Sequence, residues 1–202
     1  SPSPDGIKSL VHVSLSIIGR RPMIQHNGRM ANPLDPHTRA LSALTSKKNK
    51  TDADRADIAL TEARGAIYET EDGLVGFPTE NVWRCIYDAA TAFRRGKDVQ
   101  RGITLDPVTP ALLIDGEERK VDEFLASFDN VLYRSVKIGQ SRTMRARPII
   151  HDWSCTHYFD IYPDVWDLRD LSPILVRAGM FVGLGDWRPT YGRCEFILKE
   201  EK

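Results

Sequence analysis

No stretch of this chain approaches the roughly 18 consecutive apolar residues that a membrane-crossing helix needs, so no membrane partner is expected. Net charge is missing too: 28 Lys and Arg balance 28 Asp and Glu, which leaves no overall field to draw the molecule to a polyanion. Any polyanion site must come from charge sorted within the molecule. Cysteine is scarce and odd in number. Cys85, Cys155 and Cys194 show no C-x-x-C spacing and sit inside apolar patterns, which excludes a disulfide scaffold and gives no zinc signature. His151 and His157 flank Asp152 in a strand pattern without a third ligand spaced to join them, so no metal or cofactor is expected. G-x-S-x-G, H-E-x-x-H and paired-carboxylate signatures are likewise absent. The opening SPSPDG lacks the charged-then-apolar layout of a secretory leader, and the expected setting is a reducing cytoplasm.

The composition that remains, 202 residues with 41% hydrophobic and 28% charged, is that of an ordinary globular chain. Residues 8–19 alternate, with Val11, Val13, Leu15 and Ile17 on one face, as in a half-buried strand. Residues 20–76 then read as a polar insertion. Asp35-Pro36 can start one short helix there, and Thr51 another that runs through Arg64. The clearest helix covers residues 80–95: Thr79 can cap it, and Val82, Cys85, Ile86, Ala89, Ala90 and Phe93 form one stripe at helical spacing. That stripe predicts burial and makes Cys85 a core thiol rather than a nucleophile. Short strands are expected near 103–105 and 111–114, a short helix near Phe124, and strands over 131–138 and 147–162. Trp153, Cys155, Phe159 and Ile161 share a face of the last of these. A second helix should begin near Asp170 or at Ser172-Pro173, with a closing strand at 192–199. This order gives an α+β chain: a ferredoxin-like (RRM-like) antiparallel sheet with two packing helices and a partly helical insertion, in one domain over 1–202.

Two segments carry candidate chemistry. The first, GMFVGLGDWRPTYGRCEFILKE, holds Gly179, Gly183, Gly185 and Gly192 beside Trp187, Arg188, Tyr191 and Arg193. It follows a helix and precedes a strand, the reverse of a phosphate-cradling loop, which argues against a Rossmann or Walker site. It is either a helix cap and turn or a thin loop that a sugar-phosphate chain can approach, flanked by guanidinium forks and π-faces. The second, RSVKIGQSRTMRAR, places Arg134, Lys137, Arg142, Arg145 and Arg147 together with no acidic residue between them. It is either a solvated or subunit-contact face or a track for phosphates. His26, beside Asn27 and Gly28 in PMIQHNGRM, could serve as a general acid or base near neutral pH, or hold a structural place.

Three of these stretches resemble, in the same order, landmarks of the RAMP superfamily, the RRM-like proteins that form backbone subunits and guide-processing nucleases of CRISPR systems. The first strand and GRRPMIQHNGR resemble the family's opening strand and its continuation. GLVGFPTENVWRCIYDAA is similar to its helix entry, and AGMFVGLGDWRPTYGRCEF to its glycine-rich loop and closing strand. The resemblance implies a non-catalytic protein, of the kind carried by bacteriophages and prophages in the bacterial cytoplasm, that tracks single-stranded RNA or DNA. Its contacts would be Gly183, Gly185, Trp187, Arg188, Tyr191 and Arg193 in the loop, the basic run, and His26, Asn27 and Arg29 along the other edge. It also implies two rivals: a metal-independent endoribonuclease with His26 as base, and a protein-interaction module or defence inhibitor that mimics a CRISPR subunit. Assembly as a homo-oligomer or within a CRISPR-type complex would fit the first or the last of these.

Overall fold

The computed structural model describes residues 9–201. Its elements in chain order are β1 (Val11–Gly19), β2 (Met23–Ile24), α1 (Pro36–Thr45), α2 (Asp52–Ala66), α3 (Thr79–Thr91), α4 (Gly96–Gly102), β3 (Ile103–Thr104), β4 (Leu113–Ile114), β5 (Glu117–Glu118), α5 (Val121–Leu125), β6 (Val131–Ile138), β7 (Ser141–Ile150), β8 (Trp153–Ile161), α6 (Leu168–Arg177) and β9 (Cys194–Glu200). The chain is α+β, and its paired strands are antiparallel.

Strands β5, β4, β8, β1 and β9 lie side by side in that order, and β3 also pairs with β8. Alternation in β1 works as the sequence predicts. Val13, Leu15 and Ile17 are buried, opposite Phe159, His157 and Cys155 of β8, and α3 packs its own stripe into the same core through Val82, Cys85, Ile86, Ala89 and Ala90. Phe93 does not belong to that stripe. The helix ends at Thr91, and two residues later the Phe93 ring is 46% exposed. The cap also differs: Pro78 is the N-cap, with no side-chain bond to the helix, and Thr79 is the first helical residue, its hydroxyl 3.0 Å from His157 Nδ1.

The two expected insertion helices form for the expected reasons. Asp35 accepts from His37 N to start α1, and Thr51 and Asp54 close a capping box on α2. The insertion is not only a polar excursion, because Ala59, Ala63 and Ala66 of α2 are fully buried. Residues 147–162 do not form one strand. An exposed turn at His151 and Asp152 divides them between β7 and β8, and β7 pairs with β2 and β6 in a second, three-stranded sheet. Helix α6 starts earlier than the sequence suggests, at Leu168 with Asp167 as cap, and passes through Pro173. A π-turn over Ala178–Val182 leads from it to Gly183.

Candidate nucleic-acid interface

The loop after the π-turn folds back over β2. Gly183 N donates to the Ala178 carbonyl at 2.7 Å, Asp186 N to that of Ile24 at 2.7 Å, and Gly192 N to that of Pro22 at 2.8 Å. These bonds account for the glycines. Gly185 and Gly192 both hold left-handed backbone, with φ near +83 and +74, and a Cβ on either would run into a carbonyl oxygen, of Ile24 and Leu184 respectively. Gly183 is buried against the Tyr191 and Gly192 carbonyls. The bareness of the loop is thus used by the protein's own backbone. What the loop turns outward is its side chains: Arg188 is exposed, Arg193 is half-buried with its Nε on the Pro189 carbonyl at 3.0 Å, and the Trp187 and Tyr191 rings lie tilted with centroids 6.2 Å apart.

Under this loop, against the start of α3, lies a cleft of about 190 Å³ lined by His26, Tyr68, Asn81, Arg84, Gly185, Asp186 and Arg188. Chain segments far apart in sequence build it. Tyr68 fixes the His26 backbone by donating its hydroxyl to the His26 carbonyl at 3.2 Å, and its ring stands edge-on to the buried Phe77. His26 Nδ1 is 3.5 Å from Asp186 Oδ2. That contact, opposed by partial burial and aided by the Trp187 N–H, holds the Asp186 carboxyl below its ordinary value. Arg84 pairs with Asp88 at 2.9 Å, and Arg188 reaches 3.8 Å from the same carboxylate. Tyr68 belongs to no motif, and Asn81, Arg84 and Asp186, though inside the family-like stretches, are not among the contacts the resemblance implies. The signal available in sequence was the polar face of α3, where Asn81, Arg84 and Asp88 recur at helical spacing opposite the apolar stripe.

The other expected ligands divide. Asn27 and Arg29 are committed to the fold: Asn27 caps a short 3₁₀ turn by accepting from Arg29 N at 3.0 Å, and the Arg29 guanidinium donates to the carbonyls of Arg64, Gly65 and Ile67 at the end of α2. Burial, with Arg64 nearby, lowers the Arg29 pKa from its ordinary value. Arg147 is committed as well. Its side chain is only 12% exposed, its NH1 lies 2.8 Å from Glu62 Oε1, and its Nε lies 3.8 Å from Asp186. Glu62, buried on α2, also accepts from Ala146 N at 2.9 Å and faces Arg145 at 3.5 Å. The basic run therefore has an acidic neighbour, brought to it by the fold from 85 residues away. Arg134, Lys137 and Arg142 are exposed and make no ion pair among the described residues. Register places Lys137 opposite Arg142 on one face of the β6–β7 hairpin, and Arg134 opposite Arg145 on the other.

The face of the main sheet turned away from the core offers less to a polyanion. It presents Asp160, Glu195 and Glu201 beside Lys199, with Tyr158 65% exposed and Ile18 and Ile197 partly so. Among the described residues, no group of three His, Cys, Asp or Glu is placed to hold a metal ion. Cys85 donates to the Ala178 and Gly183 carbonyls, and burial pushes its thiol up to about 12. Compared with family models the chain matches none, and compared with curated proteins it matches none.

Proposed function

We propose that this chain is a non-catalytic, RAMP-like protein that binds single-stranded RNA or DNA. The order β4-β8-β1-β9, with α3 following β1 and α6 joining β8 to β9, suits a ferredoxin-like split βαβ arrangement. The observation that carries the reading is the pairing of a hairpin holding three uncommitted cations, Arg134, Lys137 and Arg142, with a polar cleft at its foot, linked through Arg147 and Asp186. Uncommitted cations neutralise phosphates without first breaking an ion pair. The test is a titration of single-stranded RNA, single-stranded DNA and duplex at several salt concentrations. Replacing Arg134, Lys137 and Arg142 with alanine should lower the single-strand salt slope by about 0.7 for each phosphate that is no longer neutralised. An unchanged slope removes the support.

The contact between His26 and Asp186 favours a second reading, a metal-independent endoribonuclease in which Asp186 orients His26 as the base. Cleavage of RNA in the presence of a chelator, abolished in His26→Ala while binding persists, would select it.

A further inference from the structure

The charges around the cleft balance, with Arg84, Arg188 and Arg147 set against Asp88, Asp186 and Glu62. Arg84 and Arg188 share Asp88, while His26 and Arg147 share Asp186. A phosphate placed there would meet the Asp186 carboxylate and two arginines already engaged by Asp88, whereas the hairpin above offers cations with no ion-pair partner among the described residues. The group that enters the cleft should therefore be neutral and rich in hydrogen bonds. Its size agrees: 190 Å³ is room for about six water molecules at ~30 Å³ each, enough for one planar ring. Every charged or aromatic polar side chain in the lining already has a partner. Asn81 alone among the lining polar side chains makes no hydrogen bond or ion pair with any described residue.

We infer that the cleft is a nucleobase pocket and that Asn81 reads the base. This rests on the single-strand reading above and adds a specificity to it. A carboxamide carries a donor and an acceptor side by side, which matches a base edge with a ring-nitrogen acceptor next to an exocyclic amine. Adenine and cytosine have that edge. Asp186, an acceptor only when ionised, lines the same cleft and favours the amine. The carbonyl that uracil presents in place of the amine would face that carboxylate. The Tyr68 ring and the Arg84 and Arg188 guanidinium planes supply surfaces on which a ring can stack. In this arrangement the backbone of the strand lies along the hairpin. Arg134 is opposite Arg145, on the hairpin face that Arg147 shares and two residues along from it, about 7 Å at ~3.3 Å per residue, and Lys137 and Arg142 lie farther out on the other face.

The test compares oligo-A, oligo-C, oligo-U and an abasic strand of equal length at several salt concentrations, with the parent, Asn81→Leu and Asn81→Ser, each first shown to melt like the parent. The parent should bind oligo-A or oligo-C about 5- to 150-fold more tightly than oligo-U or the abasic strand. Which of the two binds more tightly identifies the base. Both Asn81 variants should lose the preference over oligo-U, keep a stacking preference over the abasic strand, and keep the salt slope. Equal binding of all four strands by the parent, with a steep salt slope, overturns the base pocket while leaving single-strand binding in place. A preference over oligo-U that survives both substitutions overturns the role of Asn81. Absence of binding to any strand overturns the pocket together with the reading it rests on.

Discussion

The β6–β7 hairpin and the loop at 183–193 look alike in sequence, each a stretch of arginines in flexible company, yet the fold uses them in opposite ways. In the hairpin, reach to one carboxylate decides: on β7 Arg147 and Arg145 are drawn to the buried Glu62, while Arg134, across from Arg145 on β6, and Lys137 and Arg142, farther out, stand uncommitted among the described residues. In the loop, residue type decides: the glycines turn inward to meet β2, and the side chains with charge or rings turn outward. A count of positive residues treats all of these as equal. Asking where each guanidinium and each peptide N–H finds its partner separates them.

Three changes break or sharpen that contrast and a fourth gives the main sheet as a reference, beginning with the largest. Glu62→Ala should cost about 3–5 kcal/mol, because it leaves the nearly buried Arg147 without its carboxylate; denaturant unfolding would register it, and a cost below 1 kcal/mol would mean the foot of the hairpin is no more committed than its tip. Acid gives the next effect, from the main sheet and independent of both segments. Burial lowers the His157 pKa from 6.5 to about 4, so the folded state resists a proton that the unfolded chain accepts. The stabilisation is complete above pH 6.5 and is lost as pH falls toward 4, by up to about 3 kcal/mol. A His157→Gln protein should have a flatter stability curve between those values. Gly192→Ala, which forces a side chain into left-handed backbone against the Leu184 carbonyl, should cost about 1–3 kcal/mol. The smallest change in stability belongs to the double substitution Arg188→Ala, Arg193→Ala, within about 0.5 kcal/mol for each site. Its melting temperature should hold while single-strand affinity falls, and unaltered affinity would reduce the loop to a turn.

Local order was legible wherever neighbours along the chain decide it. The alternation of β1, the capping box of α2 and the stripe of α3 through Ala90 depend on contacts a few residues apart or on a single periodicity. Phe93 misled because helical spacing says which face a residue would take, not where the helix stops. The division of 147–162 was hidden for a related reason: both halves have strand character, and only pairing with different partners sends them to different sheets. The site was legible in outline through His26, Gly185 and Arg188. The commitments of Asn27, Arg29 and Arg147 were not, since their partners on or just after α2 lie tens of residues away. Cleft residues Tyr68 and Asn81 carry no charge, and neither is a contact that the resemblance implies, so only the way the chain folds back on itself brings them to His26.

Glu62 has one more consequence, for how the molecule behaves in company. β7 pairs with β6 along its length, but its other side meets β2 only at Ile149 and Ile150. Farther out, that side would leave backbone amides ready to accept a strand from another molecule. At Ala146 the amide is instead taken by the Glu62 carboxylate, and α2 lies where an intruding strand would have to settle. The carboxylate that holds Arg147 in place thus also occupies the seam along which copies of the hairpin could stack.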